Sequence, residues 1–168
     1  MFTLLSPRSR PLPAGQALLW AGVLALAAGG LYSMRPGNAA NEPWTVKQVI
    51  EPSNLAQRLS SGKSQKPRIL CVGFDFLYKD GHIPGAAYAG PARDRAGIER
   101  LKEWAGPLPR SQEMVIYCGC CPMRKCPNVR PAFRALEAMG FRNLRVLDLE
   151  NTFVVNWTAK GYPTTKGK

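Results

Sequence analysis

Apolar residues fall in short blocks separated by Gly-, Pro- and charge-rich stretches, a pattern of buried strands alternating with amphipathic helices. Ile69-Leu70-Cys71-Val72, following Arg68, and Met114-Val115-Ile116-Tyr117 are apolar at consecutive positions, and Leu144-Arg145-Val146-Leu147 nearly so. Runs this short and continuous predict strands covered on both faces, as in a parallel sheet. Trp44 to Ile50 predicts a further short strand or entry segment. Helical spacing recurs between these runs. One helix starts at Pro52-Ser53-Asn54 and carries Leu55, Ala56 and Leu59; a second is predicted from Pro91 to Trp104, with Ile98 and Leu101 inward. A third, from Pro131 to Met139, presents Phe133, Leu136 and Met139 on one side and stops at Gly140. Ser60 to Lys66 and Gly106 to Pro109 read as loops. Strand and helix alternating over about 100 residues predict an α/β domain with a parallel sheet.

The amino-terminal pattern is different. No charge lies between Arg10 and Arg35, and Ala17 to Leu31 is almost wholly apolar. A basic start followed by an apolar stretch predicts a secretory signal, with small residues at Gly37-Asn38-Ala39 that suit cleavage after Ala39 or Ala40. Leu18 to Met34 is close to bilayer-spanning length, so an uncleaved anchor is the rival expectation. With Arg8 and Arg10 held in the cytoplasm, either reading puts the rest of the chain across the membrane, periplasmic or membrane-anchored. The expected organisation is therefore a signal or anchor over residues 1–39, a linker over 40–43 and one domain over 44–168, about 125 residues around one core.

Lys and Arg number 23 against 11 Asp and Glu, a formal charge of +12, and only Arg8, Arg10 and Arg35 of that excess precede the domain. A basic domain draws anions. The charges are scattered, with no basic stripe interleaved with aromatics, so nucleic acid is not an expected partner. Four of the five cysteines, Cys118, Cys120, Cys121 and Cys126, fall within nine residues, while Cys71 sits in a strand. Crowding of that kind predicts a reactive or metal-binding loop rather than a disulfide framework, and Cys71 reads as a core thiol.

Three stretches resemble rhodanese domains, in the order found in that family. Asp80-Gly81-His82-Ile83-Pro84-Gly85-Ala86 is similar to its G-H-I-P-G-A segment. Val115-Ile116-Tyr117-Cys118 is similar to its strand ending in a cysteine, followed by a loop and a helix closed by Gly140-Phe141. Trp157-Thr158-Ala159-Lys160-Gly161-Tyr162-Pro163 is similar to its carboxy-terminal W-x-x-x-G-y-P signature. The resemblance covers about residues 44 to 165. It implies a three-layer α/β/α fold with a parallel sheet of about five strands, and a monomer without cofactor. The implied activity is a sulfurtransferase in which Cys118 takes sulfane sulfur from a small anionic donor such as thiosulfate and passes it to a thiol or cyanide-like acceptor. Physically, a thiol at the carboxyl end of a parallel strand opens into the crevice where α/β proteins bind ligands. Backbone N–H groups at the following helix start would favour its thiolate. The chain departs from the pattern at Cys71-Val72-Gly73, where the family often shows Asp-Val-Arg, at Glu150-Asn151-Thr152, where Glu-Gly-Gly is common, and in a loop about five residues longer than usual. Pro122, Pro127 and Pro131 each remove an N–H from the expected cradle.

The loop Cys118 to Pro131 supports three chemistries. In the first, Cys118 is the sulfur carrier, Gly119, Arg124, Lys125 and Arg130 receive the anion, and Cys120, Cys121 or Cys126 takes over or resolves the persulfide. In the second, Cys118 and Cys121 form a thiol–disulfide redox pair in a C-x-x-C followed by Pro122. In the third, four thiolates hold a metal or iron–sulfur cluster, although adjacent Cys120 and Cys121 strain a single tetrahedral site and no residue is assigned as a ligand. A non-catalytic binding module on the same fold is a further alternative. The lone histidine, His82, reads as the brace of a turn, and Trp157 and Tyr162 as packing residues.

Overall fold

The computed structural model describes residues 42–61 and 66–167. The expected signal or anchor over 1–39 lies outside them, and among the described residues no helix is long and apolar enough to cross a membrane.

Five strands, β1 (Val49–Ile50), β2 (Arg68–Cys71), β3 (Ala87–Tyr88), β4 (Met114–Tyr117) and β5 (Leu144–Leu147), form one sheet in the order β1-β5-β4-β2-β3. Every pairing is parallel. The sheet is as expected from the apolar runs, with β4 at its centre. Helices α1 (Pro52–Ser60), α2 (Asp75–Asp80), α3 (Arg95–Ala105), α4 (Val129–Ala138) and α5 (Phe153–Asn156) cover both faces. Alternation along β4 divides the core. Met114, Ile116 and Cys118 pack with Leu101 of α3 and with Val129, Phe133 and Leu136 of α4. Val115 and Tyr117 pack with Leu55 of α1, Tyr78 of α2 and Phe153 of α5. Side chains two apart share a face of the strand, so Cys118 leaves the sheet on the α4 side.

Several boundaries differ from expectation. Val46–Gln48 is a 3-10 turn rather than strand, because the Gln48 side chain turns back to accept the Thr45 N–H at 2.9 Å and closes a capping box. The second helix starts at Arg95 instead of Pro91, the intervening residues forming a turn in which the Asp94 N–H donates to the Pro91 carbonyl. The third starts two residues early, at Val129. Pro131 then lies in the first turn, where a missing N–H leaves nothing unpaired. β3, α2 and α5 are too short to have been visible as periodic patterns.

Both motif stretches that flank the cysteine loop converge on Tyr117. The Tyr117 hydroxyl accepts the Ile83 N–H at 3.3 Å, and the Tyr78 hydroxyl donates to the Ala86 carbonyl at 2.6 Å. Tyr117, Phe153 and Trp157 stack in sequence at centroid distances of 5.5 and 6.0 Å, Tyr162 meets Trp157 edge-to-face at 5.2 Å, and Trp157 Nε1 donates to the Pro163 carbonyl at 2.8 Å. His82 is buried, its Nδ1 2.8 Å from the Tyr78 carbonyl and its ring stacked on Tyr78. Its backbone bridges Thr165 in both directions at 2.9 Å. These contacts anchor the carboxyl end of the strand that delivers Cys118.

Candidate functional site

Cys118 follows the last residue of the central strand, and its side chain is 4% exposed. Gly73, at the end of the neighbouring strand, makes this possible. A Cβ there would stand 2.4 Å from the Cys118 carbonyl oxygen and 3.1 Å from its sulfur, so a side chain at that position would push the Cys118 carbonyl aside and crowd its sulfur. Glycine at the third position of the departure from Asp-Val-Arg thus has a steric reason. Gly119 turns the chain with φ of +85°, and a Cβ on it would lie 2.8 Å from Cβ of Phe153. Its carbonyl accepts the Phe153 N–H at 3.0 Å, tying the loop to α5. Only glycine meets both conditions without strain.

Beyond Gly119 the four loop sulfurs come together. Cys118 Sγ is 3.1 Å from Cys120 Sγ, and Cys120 Sγ is 3.1 Å from Cys121 Sγ. A 3-10 turn, Met123–Lys125, carries the chain on to Cys126, whose N–H donates to the Met123 carbonyl at 3.1 Å. Cys118, Cys120 and Cys126 sulfurs lie within 4.8 Å of one another. Cys118 and Cys126 are buried, while Cys120 and Cys121 are partly exposed. Cys118 is therefore grouped with Cys120 and Cys126, while Cys121 of the expected C-x-x-C pair touches Cys120 instead.

Protonation favours thiols at the neighbours. Burial pushes Cys120 up to about 12 and raises Cys121. The hydrogen bond to Cys118, followed by burial, raises Cys126; the backbone N–H groups of Asn128 and Val129 oppose that shift. The sequence reading placed such a cradle around Cys118, whose sulfur instead receives the side-chain amide of Asn128. Prolines and internal turn bonds of the longer loop account for the change: Pro122 and Pro127 have no N–H, and those of Lys125 and Cys126 close the 3-10 turn.

Cys118 receives a side-chain donor that the sequence reading missed. Asn128 is fully buried, and its Nδ2 donates to Cys118 Sγ at 3.3 Å. Its Oδ1 accepts the Arg93 N–H at 3.0 Å. A backbone N–H can only donate, so the second bond fixes the amide orientation and directs Nδ2 at the sulfur. The available signal was an Asn just ahead of a helix start, where a side chain commonly satisfies a neighbouring polar group.

The basic residues are distributed unequally. Arg124 and Lys125 are exposed on the 3-10 turn between Cys121 and Cys126. Arg124 also opposes the rise that burial imposes on the Asp148 carboxyl. Arg130 is occupied by the loop itself. Its guanidinium donates to the Cys126 carbonyl at 3.1 Å, to the Arg124 carbonyl and to Glu42, and it lies over Trp44. On the opposite side of the Cys118 backbone is a cavity of about 180 Å³ bordered by Tyr117, Cys118, Gly119, Phe153, Val154 and Lys166 among others. Cys71 borders it too, and burial pushes its thiol up to about 11.

Neither a protein-family model nor a curated protein matches the chain. Solved structures do. The Alr3790 protein from Anabaena sp. is similar with a TM-score of 0.55 at 23% identity, over 70% of this chain and 92% of that one. A solution structure of the rhodanese-like domain from the same protein gives 0.52 at 27% identity, over 71% and 79%. The BH2092 protein from Bacillus halodurans gives 0.54 at 17% identity, over 70% and 75%. The chain thus carries a rhodanese-like α/β fold, with its cysteine cluster at the carboxyl end of the central strand.

Proposed function

We propose that the protein is a sulfurtransferase in which Cys118 carries sulfane sulfur. The observation that carries the reading is the placement of Cys118 Sγ at the end of β4, with Asn128 Nδ2 at 3.3 Å and a second thiol at 3.1 Å. A positioned amide donor stabilises sulfur carrying negative charge. The Cys118 thiolate attacks the outer sulfur of thiosulfate, the S–S bond of the donor breaks, and sulfite leaves with the electron pair. Arg124 and Lys125 attract the anionic donor to the loop. The persulfide on buried Cys118 then has Cys120 as its nearest acceptor. Attack of Cys120 sulfur on the outer sulfur, with its proton passing to the departing Cys118 sulfur 3.1 Å away, regenerates Cys118 and puts the persulfide on a partly exposed residue. From there a thiol or cyanide removes the sulfur. Residues 1–39 would deliver the domain across a membrane, in keeping with their apolar stretch.

Mass spectrometry after incubation with thiosulfate tests the proposal. The expected result is one added sulfur on Cys118 or Cys120, removed by cyanide. Absence of an adduct on every loop cysteine overturns it and favours a binding module on the same fold.

The 3.1 Å contact between Cys118 and Cys120 also favours a second reading, thiol–disulfide exchange through that pair. Thiol counting before and after mild oxidation separates the two: a redox protein loses two thiols reversibly without any sulfur donor.

A further inference from the structure

We propose that Cys118, Cys120 and Cys126 form a three-thiolate binding site for copper(I). The three sulfurs lie within 4.8 Å of one another, the closest pair at 3.1 Å. A metal–sulfur bond of about 2.3 Å sets thiolates about 4.0 Å apart around a trigonal ion. That value lies inside the 4.8 Å bound on the cluster and exceeds the Cys118–Cys120 separation, so an ion is admitted by opening that contact by about 0.9 Å. Each ligand is anchored by a different piece of backbone. Cys118 is held at the end of β4, Cys120 follows the Gly119 turn bonded to Phe153, and Cys126 is fixed by its N–H to the Met123 carbonyl. Such independent anchoring holds a site in shape before its ion arrives.

The chemistry of the donor set selects the ion. All three ligands are soft sulfur, which suits copper(I). His82, the one imidazole in the chain, is engaged with Tyr78 and Thr165 on the other face of the sheet. A closed zinc site would call for a fourth ligand. Cys121 Sγ is 3.1 Å from Cys120 Sγ but is not part of the mutual cluster. On binding, each thiol releases its proton to solvent and copper stays in the +1 state, so no electron moves. The resulting complex carries two net negative charges, which the exposed Arg124 and Lys125 on the 3-10 turn offset. Coordination removes Cys118 as a nucleophile, so copper binding and sulfur transfer exclude one another, although the site does not depend on that activity.

The test uses the full-length chain in detergent, reduced and anaerobic, competing for copper(I) with a chromophoric chelator, with no sulfur donor present. One equivalent should leave the chelator and should block alkylation of Cys118. Cys120→Ser or Cys126→Ser should lower the affinity by an order of magnitude or more; Cys121→Ser should not. Copper X-ray absorption on the wild-type protein should find three sulfur neighbours, a readout independent of whether any variant folds. Failure to take copper from the chelator, an equal loss in Cys121→Ser, or nitrogen, oxygen or a fourth sulfur around the ion would overturn the site. Such a failure leaves a thiosulfate adduct on Cys118 unaffected, so the two ideas stand or fall separately.

Discussion

The two faces of the sheet meet at the end of β4 and treat neighbouring residues in opposite ways. On the α1, α2 and α5 side, Tyr117 is locked by stacked aromatics and by the Ile83 N–H. On the α4 side, Cys118 belongs to the core with Val129, Phe133 and Leu136, and its sulfur meets other thiols and the Asn128 amide. One face is dense aromatic and aliphatic packing that fixes where the strand ends. The other is an equally dense core that carries, at the end of the strand, a group of small polarisable thiols whose protons and partners can change. Holding the strand and doing the chemistry have been separated onto alternate residues, and substitutions should separate them too.

Cys118→Ser is the largest test of that division. Persulfide formation from thiosulfate should fall to nothing measurable, because the oxygen cannot accept sulfane sulfur. The urea midpoint should move little, since the replacement is nearly isosteric and keeps a partner for Asn128. A large stability loss with residual transfer would place the chemistry on another cysteine.

Trp157→Ala should give the reverse outcome. The ring is fully buried, stacks on Phe153, meets Tyr162 edge-to-face, and donates to Pro163. Removing it should cost about 3–5 kcal/mol in urea unfolding. Transfer per folded molecule should be retained, because the residue touches none of the loop sulfurs.

How far these roles could be read from sequence follows the same division. The aromatic face was legible in part: Tyr117, Trp157 and Tyr162 sit in the motifs, and Trp157 and Tyr162 are large side chains whose burial is almost always packing, whereas Tyr78 and Phe153 lie on the short α2 and α5. Strands β2, β4 and β5 were legible because an apolar run of four residues has few other uses in an α/β chain. The thiol face was legible only as composition. Four cysteines in nine residues announce chemistry, but spacing alone did not tell that Cys120 rather than Cys121 would touch Cys118. That outcome depends on the positive φ of Gly119 and on the path of the Met123–Lys125 turn. The contacts of Arg130 were hidden for a related reason. A basic residue near a thiol resembles an anion ligand, and its partner Glu42 lies 88 positions away. Asn128 was missed because its two contacts, Arg93 and Cys118, belong to segments that meet only in the folded chain.

Asn128→Leu tests the amide with a smaller effect. Leucine keeps the volume but removes the donor to Cys118 Sγ and leaves the Arg93 N–H without its acceptor. Hydrogen bonds to charged groups contribute about 1.5–3 kcal/mol, so alkylation of Cys118 at fixed pH should slow by roughly tenfold or more. Asn128→Asp should slow it as well, because a carboxylate retains the Arg93 bond but brings negative charge to the sulfur. An unchanged rate in both variants would show that the thiol neighbours, not the amide, set its reactivity.

The smallest effect is expected at the other end of the same strand. Glu113 precedes β4 and accepts from Arg58 at 2.9 and 2.6 Å and from Arg145 at 3.1 Å. The Arg58 hydrogen bond, opposed by burial and reinforced by Arg145, holds its carboxyl below the ordinary glutamate range. A depressed folded value means that the unfolded chain binds the proton more readily, so this contribution is complete above the unfolded pKa of about 4.3 and is lost as pH falls below it. Its size is about 1 kcal/mol or less, as for partly exposed ion pairs. Glu113→Gln should therefore lower the urea midpoint slightly at neutral pH, with the difference from wild type shrinking as pH drops through the acid range and under raised salt. Sulfur transfer should not change, since Glu113 lies at the amino end of β4 and the thiols beyond its carboxyl end. A transfer defect in Glu113→Gln would mean that the strand does not hold its two ends independently, and the separation of support from chemistry would then fail along β4 as well as across it.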